Sequence, residues 1–367
     1  MLDLVPQNAP LLPAIREAFE RVMTKNAFVL GTEVDAFERE IASLLRVKHA
    51  IGCSSGTDAQ LLAMMALGLG PGDEVITTPF TFFATAGCIA RLGATPVFVD
   101  IDPHTWNLDV DRIAAARTPR TKAIAPVHLY GQPCDMPRML EVARALELPI
   151  LEDAAQSVLA DTSVGMTGAI GRAGWLSFYP TKNLSAFGDA GLATTNDDAL
   201  ADQMRMLRNH GSRVRYHHEA IGGNFRLDGL QAAVLRVKLP HLQGWTEKRR
   251  ANAARYDRLF AQAGLDPQRF GTPVRREAGH CYHQYVIRTG ARDALRAYLT
   301  EQRIGTEIYY PVPLHLQPCF AHLGQREGSL PNAERASHEV LALPIYPELS
   351  EAQIDRVVDA VVAFHRR

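Results

Sequence analysis

HAIGCSSGTDAQLLAMMALGLGPGDEVITTPF, residues 49–80, holds two short apolar runs with a helical stretch between them. HAIGC (49–53) ends at Ser54, Ser55, Gly56 and Thr57, and helical periodicity occupies 57–68. GLGPGD (68–73) follows that helix, contains Pro71 and precedes the next run, EVITT (74–78). It reads as a turn, because a dinucleotide fingerprint must follow a strand and open a helix. The alternation continues through TPVFVD (95–100), KAIAPV (122–127), PILED (149–153), GWLSFY (174–179) and GLATT (191–195). Helical stretches such as 135–147 and 197–209 separate most of them. Strands apolar along their length predict an α/β fold with a mainly parallel sheet of seven strands between helices. Ligands of such sheets bind beyond the carboxyl ends of the strands.

Upstream, Thr32 is the expected cap of a helix, with Asp35 three residues on. Val34, Phe37, Ile41 and Leu44 recur at spacings of three and four, which predicts one buried face. After about residue 240 the texture changes. An Arg-rich helix over 241–263 leads to a Gly/Pro segment near 264–279. A strand CYHQYVIR (281–288), a helix near 291–302, an irregular YYPVPLHLQP (309–318) and a closing helix over about 350–365 follow. This predicts a large domain over 1–240 and a smaller α+β domain over 241–367.

The chain has 367 residues, beyond the ~250–300 at which single cores stop growing. Lys plus Arg number 39 and Asp plus Glu 40, for a net charge of −1. That balance gives no field to hold nucleic acid or an anionic membrane. No apolar run approaches the ~18 residues of a membrane span. MLDLVPQNAP has no secretory pattern. Five dispersed cysteines without C-x-x-C argue against a disulfide framework or structural zinc. The expected location is the cytoplasm.

Chemistry is sought where strands end. SFYPTKN (177–183) places Lys182 in a loop after a strand, and a desolvated lysine amine attacks carbonyls. LEDAAQS (151–157) delivers Glu152 and Asp153 to a strand's carboxyl end. Such a carboxylate caps a helix, or else keeps the ring nitrogen of pyridoxal phosphate (PLP) protonated. GCSSGTDA (52–59) is either a helix cap or a phosphate cup of backbone N–H groups and hydroxyls. In FTFFATA (80–86), one of Phe80, Phe82 and Phe83 could stack on a flat ring, although aromatics are usually core. GGNFRLDGLQAA (222–233) puts Asn224 and Arg226 before a helix, with Asp228 at the cap position. His217 and His218 are adjacent, and no metal-ligand spacing occurs, so no metal is assigned. The absence of G-x-S-x-G argues against a serine hydrolase.

Taken in order, nine motifs resemble the sugar aminotransferases of the DegT/DnrJ/EryC1 type, which have PLP fold type I. They are GTDA, PGDEVITTPFTFFATA, PVFVDIDP, IAPVHLYGQPCDM, EDAAQS, SFYPTKNLSAFGDAG, RNHG, YHHEAIGGNFRLDGLQAAVL and YYPVPLHLQP. The resemblance runs from about residue 4 to 365. It implies Lys182 as the Schiff-base lysine and Asp153 as partner of the pyridinium nitrogen. It implies Gln156 at the ring's phenolic oxygen, Gly56, Thr57 and Ser177 at the phosphate, and Phe82 on the ring face. Asn224 would reach the phosphate from the other subunit of a homodimer. Arg226 is a candidate for the donor's carboxylate, and His210, Tyr309, Tyr310 and His315 lie in segments that line the sugar pocket of relatives. The implied reaction carries an amino group from L-glutamate, through pyridoxamine phosphate, to a UDP- or dTDP-linked keto sugar. YHH at 216–218 and its surroundings lean toward 3-keto sugars. Some relatives carry His in place of the lysine and act as dehydratases, and others were first described as regulators; Lys182 favours transamination.

Overall fold

Seven strands form the central sheet: β1 (His49–Cys53), β2 (Glu74–Thr77), β3 (Thr95–Phe98), β4 (Thr121–Ala125), β5 (Leu151–Asp153), β6 (Ala173–Ser177) and β7 (Gly191–Thr195). The computed structural model describes residues 2–276 and 278–367. The strands run in the order β1-β7-β6-β5 and β3-β2-β4. Parallel bridges Ile124–Ile150 and Val127–Asp153 join β4 to β5, so the order is β1-β7-β6-β5-β4-β2-β3. β7 alone runs antiparallel to its neighbours, and the other pairings are parallel.

Every residue of β2, β5 and β7 is buried. Helices on both faces explain why these strands read as apolar without alternation. α1 (Leu12–Lys25), α2 (Thr32–Leu45) and α3 (Gly56–Ala66) open the chain. α4 (Ala84–Arg91), α5 (Met136–Leu146), α6 (Asp198–Arg208) and α7 (Gly229–Lys238) follow. α3 and α6 pack on one face through Leu62, Met64, Met204 and Leu207. α2 and α7 cover the other through Phe37, Ile41 and Leu235. Each fully buried aliphatic or aromatic side chain contributes about 1.5–3 kcal/mol by leaving water.

Two local expectations for α2 are corrected. Its cap is Gly31 (φ 88°), without a side-chain cap bond, and Thr32 is the first helical residue. Leu45 rather than Leu44 completes the buried face, one residue along the same stripe.

C-terminal to this sheet lies a smaller α+β layer. α8 (Leu242–Ala263) and α9 (Arg292–Glu301) are followed by α10 (Pro331–Glu339) and α11 (Glu351–His365). They surround the antiparallel pair β8 (Tyr285–Thr289) and β9 (Val340–Leu343), extended by Phe270–Gly271. Tyr256 stacks on Tyr285 at 4.7 Å in a core shared with Leu299, Leu341 and Val361. The strand expected over 281–288 begins only at Tyr285. Cys281 N–H donates to the Gly131 carbonyl (2.9 Å) and Gln284 N–H to the Tyr130 carbonyl (3.2 Å), so Cys281–Gln284 is stitched to a loop instead of a strand.

Candidate active site

The carboxyl ends of β1, β5 and β6 meet on one side of the sheet. Gly191 pairs with both Cys53 and Ser177, which sets those two strand ends level. A Cβ on Gly191 would lie 2.2 Å from the Ser55 carbonyl oxygen, so only glycine fits there. Ser55 caps α3, its hydroxyl accepting from Asp58 N–H at 3.0 Å. The cap is therefore real, and it also aims the first N–H groups of α3 outward. A Cβ on Gly56 would meet Ser177 Cβ at 2.7 Å. Gly56 thus lets the Ser177 hydroxyl stand directly beside the helix N-terminus, a geometry suited to an anion. Thr57 is half-buried next in line.

Strand alternation separates the two acids of β5. Glu152 is fully buried and accepts N–H bonds from Gly168 (2.9 Å), Ile170 (2.7 Å) and Gly171 (2.6 Å), with His128 Nε2 at 3.1 Å. It is a structural group. Asp153 points the other way and is 4% exposed. Its Oδ2 accepts from the Thr85 hydroxyl at 2.7 Å and its Oδ1 from Ala155 N–H at 3.1 Å. No helix follows Asp153, so the capping alternative falls away.

Lys182 sits in the turn after β6, its N–H donating to the Tyr179 carbonyl at 2.8 Å. Burial drives its amine pKa down to about 8, and only the charge of Asp153 opposes that fall. Gln156 accepts at Oε1 from Tyr130 N–H (2.6 Å) and donates from Nε2 to the Tyr310 hydroxyl (3.0 Å). Burial pushes the Tyr310 phenol up, and Asp153 adds to that. Phe82 is 60% exposed, its ring centre 6.4 Å from that of Tyr310. The Tyr309 carbonyl accepts from the Tyr130 hydroxyl.

Other expected residues lie on different terms. Arg226 pairs by backbone with Cys53, its Nη1 donates to Asn209 Oδ1 at 2.8 Å, and its Nε is buried without a partner among the described residues. Asn224 is exposed, as is His210, whose carbonyl faces His218 Nδ1 at 2.9 Å. Asp228 stands at the cap of α7 without a side-chain cap bond. His315 is 1% exposed with Nε2 3.0 Å from Glu334, enclosed rather than facing an open surface.

The sequence profile of the DegT/DnrJ/EryC1/StrS aminotransferase family matches residues 12–362. The chain belongs to this family. It is 52% identical to a "pleiotropic regulatory protein" of Geobacillus stearothermophilus over all of this chain and 98% of that protein. It is 44% identical to a UDP-N-acetyl-3-dehydro-α-D-glucosamine 3-aminotransferase of Acidithiobacillus ferrooxidans, covering 98% of this chain and 96% of the relative. The structure of DesV from S. venezuelae in complex with a ketimine intermediate superposes with a TM-score of 0.95. It shares 44% identity over all of this chain and 98% of that one.

Members of this aminotransferase family depend on PLP. The residues present fit that group. They offer a primary amine of lowered pKa, a buried carboxylate with no ion-pair partner among the described residues, and a glycine-lined helix N-terminus beside a hydroxyl. Sequence reasoning does not single out three residues of the site: Thr85 lies within FTFFATA, Asn183 closes SFYPTKN, and His283 falls in the expected strand CYHQYVIR. Asn183 adjoins Lys182 and bonds His283, whose pKa is driven far below its usual value by burial and by the charge of Lys182.

Proposed function

We propose that this chain is a PLP-dependent aminotransferase that moves an amino group from L-glutamate to the keto group of a nucleotide-linked sugar, with preference for a 3-keto sugar. The observation that carries the reading is Lys182, an amine whose pKa falls to about 8 against the opposing charge of Asp153, in the turn that follows Ser177 of the Gly56–Ser177 cradle. At pH 7 a group of pKa about 8 is roughly one-tenth neutral, against about one part in three thousand at 10.5, so burial raises the reactive fraction by about two orders of magnitude.

Bound PLP supplies an electron sink for the carbanion formed at the amino donor's Cα. Everything else falls to the chain. Gly56, Thr57 and Ser177 would hold the phosphate, with Asn224 of a second copy completing the contact. Asp153, oriented by Thr85 and Ala155, would keep a proton on the ring nitrogen. Gln156 would bind the phenolic oxygen and Phe82 would cover one ring face. Lys182 Nζ would hold the cofactor through its carbonyl carbon and, once displaced by the donor, would take the proton from the donor's Cα and give it to that same cofactor carbon. Arg226 would receive the donor's carboxylate. Tyr309, Tyr310 and His210 would border the sugar, and His315 would support that wall from beneath.

A homodimer with shared sites is part of this reading. Its support is the exposed Asn224, carried on an arm with Val214, Tyr216 and Ile221 at 61%, 79% and 93% exposure. We further assign a large domain to 1–240, a small one to 241–367 and the cytoplasm as the site of action. No helix among the described residues is long and apolar enough to cross a membrane.

The test is a pair of half-reactions. L-Glutamate should bleach the visible absorption of the purified protein, and one UDP- or dTDP-linked 3-keto sugar should restore it. Unchanged absorption in a protein that holds PLP would sink the glutamate-dependent transaminase and favour a dehydratase. A purified protein that never takes up PLP would leave the regulatory reading.

A further inference from the structure

The residue after Lys182 ties its turn to the C-terminal layer. Asn183 is 3% exposed, and both ends of its amide are engaged. Nδ2 donates to the Cys281 carbonyl at 3.2 Å, and Oδ1 lies 3.2 Å from His283 Nδ1. Since Nδ2 is committed as a donor, Oδ1 must accept, and His283 must carry its proton on Nδ1. Gln284 Nε2 at 3.5 Å then faces the lone pair of His283 Nε2, a consistent assignment. His283 is buried and held neutral, its pKa lowered by burial and by the charges of Lys182 and Arg249.

The far side of this clamp is held by several hydrogen bonds. Arg249 Nη1 donates to the carbonyls of Tyr282 (3.1 Å), His283 (3.4 Å) and Ile345 (3.1 Å). Cys281 and Gln284 are bonded to Gly131 and Tyr130. Gln284 also lies beside the Tyr309 phenol. The near side is less constrained, with Tyr179 half exposed and Thr181 exposed.

We propose that Asn183 and His283 are positioning residues that couple the Lys182 turn to segment 281–284 and so hold Nζ in line with the reacting carbon through both half-reactions. This rests on Lys182 being the proton-moving amine. A donor–acceptor pair that only orients should be replaceable by any group presenting the same N–H. Misplacement by about 1 Å at a reacting centre costs on the order of a hundredfold in rate, so the effect should appear in kcat.

The test compares full-length Asn183→Ala, His283→Ala and His283→Asn. Asparagine at 283 presents an amide N–H near the place of Nδ1–H and carries no basic nitrogen. Both alanine variants should lose about tenfold or more in kcat, with KM for glutamate and keto sugar within about threefold of wild type. They should also slow the appearance of visible absorption when PLP is added to cofactor-free protein. His283→Asn should recover both measures to within about threefold. Wild-type behaviour of His283→Ala, or equal impairment of His283→Asn and His283→Ala, overturns the proposal. Should Asn183→Ala fail to fold, the two variants at 283 decide alone. Lys182→Ala is run beside them. If it keeps turnover, the reading of the site fails; if it is dead while the clamp variants match wild type, only the coupling fails.

Discussion

Asp153 opposes, across the site, what burial does to Lys182: desolvation lowers the amine's pKa to about 8, and the carboxylate raises it. Removing the charge should leave desolvation unopposed. In cofactor-free Asp153→Asn, the pH midpoint for acylation of Lys182 should fall below about 8. On the proposed reading turnover should drop by two orders of magnitude or more, because the ring nitrogen would lose its counter-charge. A midpoint that stays or rises would contradict the electrostatic pairing.

Thr85 acts one step back from that pair. Its hydroxyl donates to Asp153 Oδ2 at 2.7 Å in a buried setting, which orients the carboxylate. Thr85→Val keeps the shape and removes the donor. Its expected cost is on the order of tenfold in kcat, with PLP still bound, as hydrogen bonds to charged groups contribute about 1.5–3 kcal/mol. An effect as large as that of Asp153→Asn would mean that Thr85 has another role.

Glu152 should separate from Asp153 in the opposite sense. It is fully buried, accepts three backbone N–H groups and faces His128. Glu152→Gln turns one acceptor into a donor toward those amides. It should destabilise the protein by about 2–4 kcal/mol in denaturant unfolding while leaving the visible spectrum of folded, PLP-loaded protein unchanged. A lost spectrum with intact stability would make Glu152 part of the site.

Much of the frame was legible because buried parallel strands must be apolar throughout. HAIGC and GLATT match β1 and β7 residue for residue, and Glu152 and Asp153 were already at the end of β5. Their division of labour was not, since two adjacent acids differ only in which face of the sheet they meet. The reversed direction of β7 left no trace in its composition. β9, VLAL, passed unnoticed because four apolar residues fit a buried helix turn equally well. Asn183 and His283 lie a hundred residues apart, so their contact exists only once the chain has folded.

Two lysines with desolvated amines set a pH dependence of stability. Burial lowers Lys182 and Lys238 from 10.5 to about 8. Lys238 is 1% exposed, with Ser185 Oγ at 3.1 Å and the Phe187 ring 4.7 Å from its Nζ. Both folded values lie below the unfolded one. Between them the unfolded chain binds more protons, so stability rises as pH climbs from about 8 toward 10.5. Cofactor-free protein should show that rise in denaturant midpoint, and Lys238→Met should show a smaller one. A fall over the same window would refute the sign.

Shared sites can be tested by mixing two dead variants. Lys182→Ala lacks the amine in its own site. A large-to-small change at Asn224, such as Asn224→Ala, removes a contact that the reading places in the partner's site. In a mixed dimer one site then carries both defects and the other carries none. Random mixing makes half of the dimers mixed, so co-refolded protein should recover about one-quarter of the wild-type activity. If Asn224 served its own subunit's site, each site would keep one defect and mixing would recover nothing.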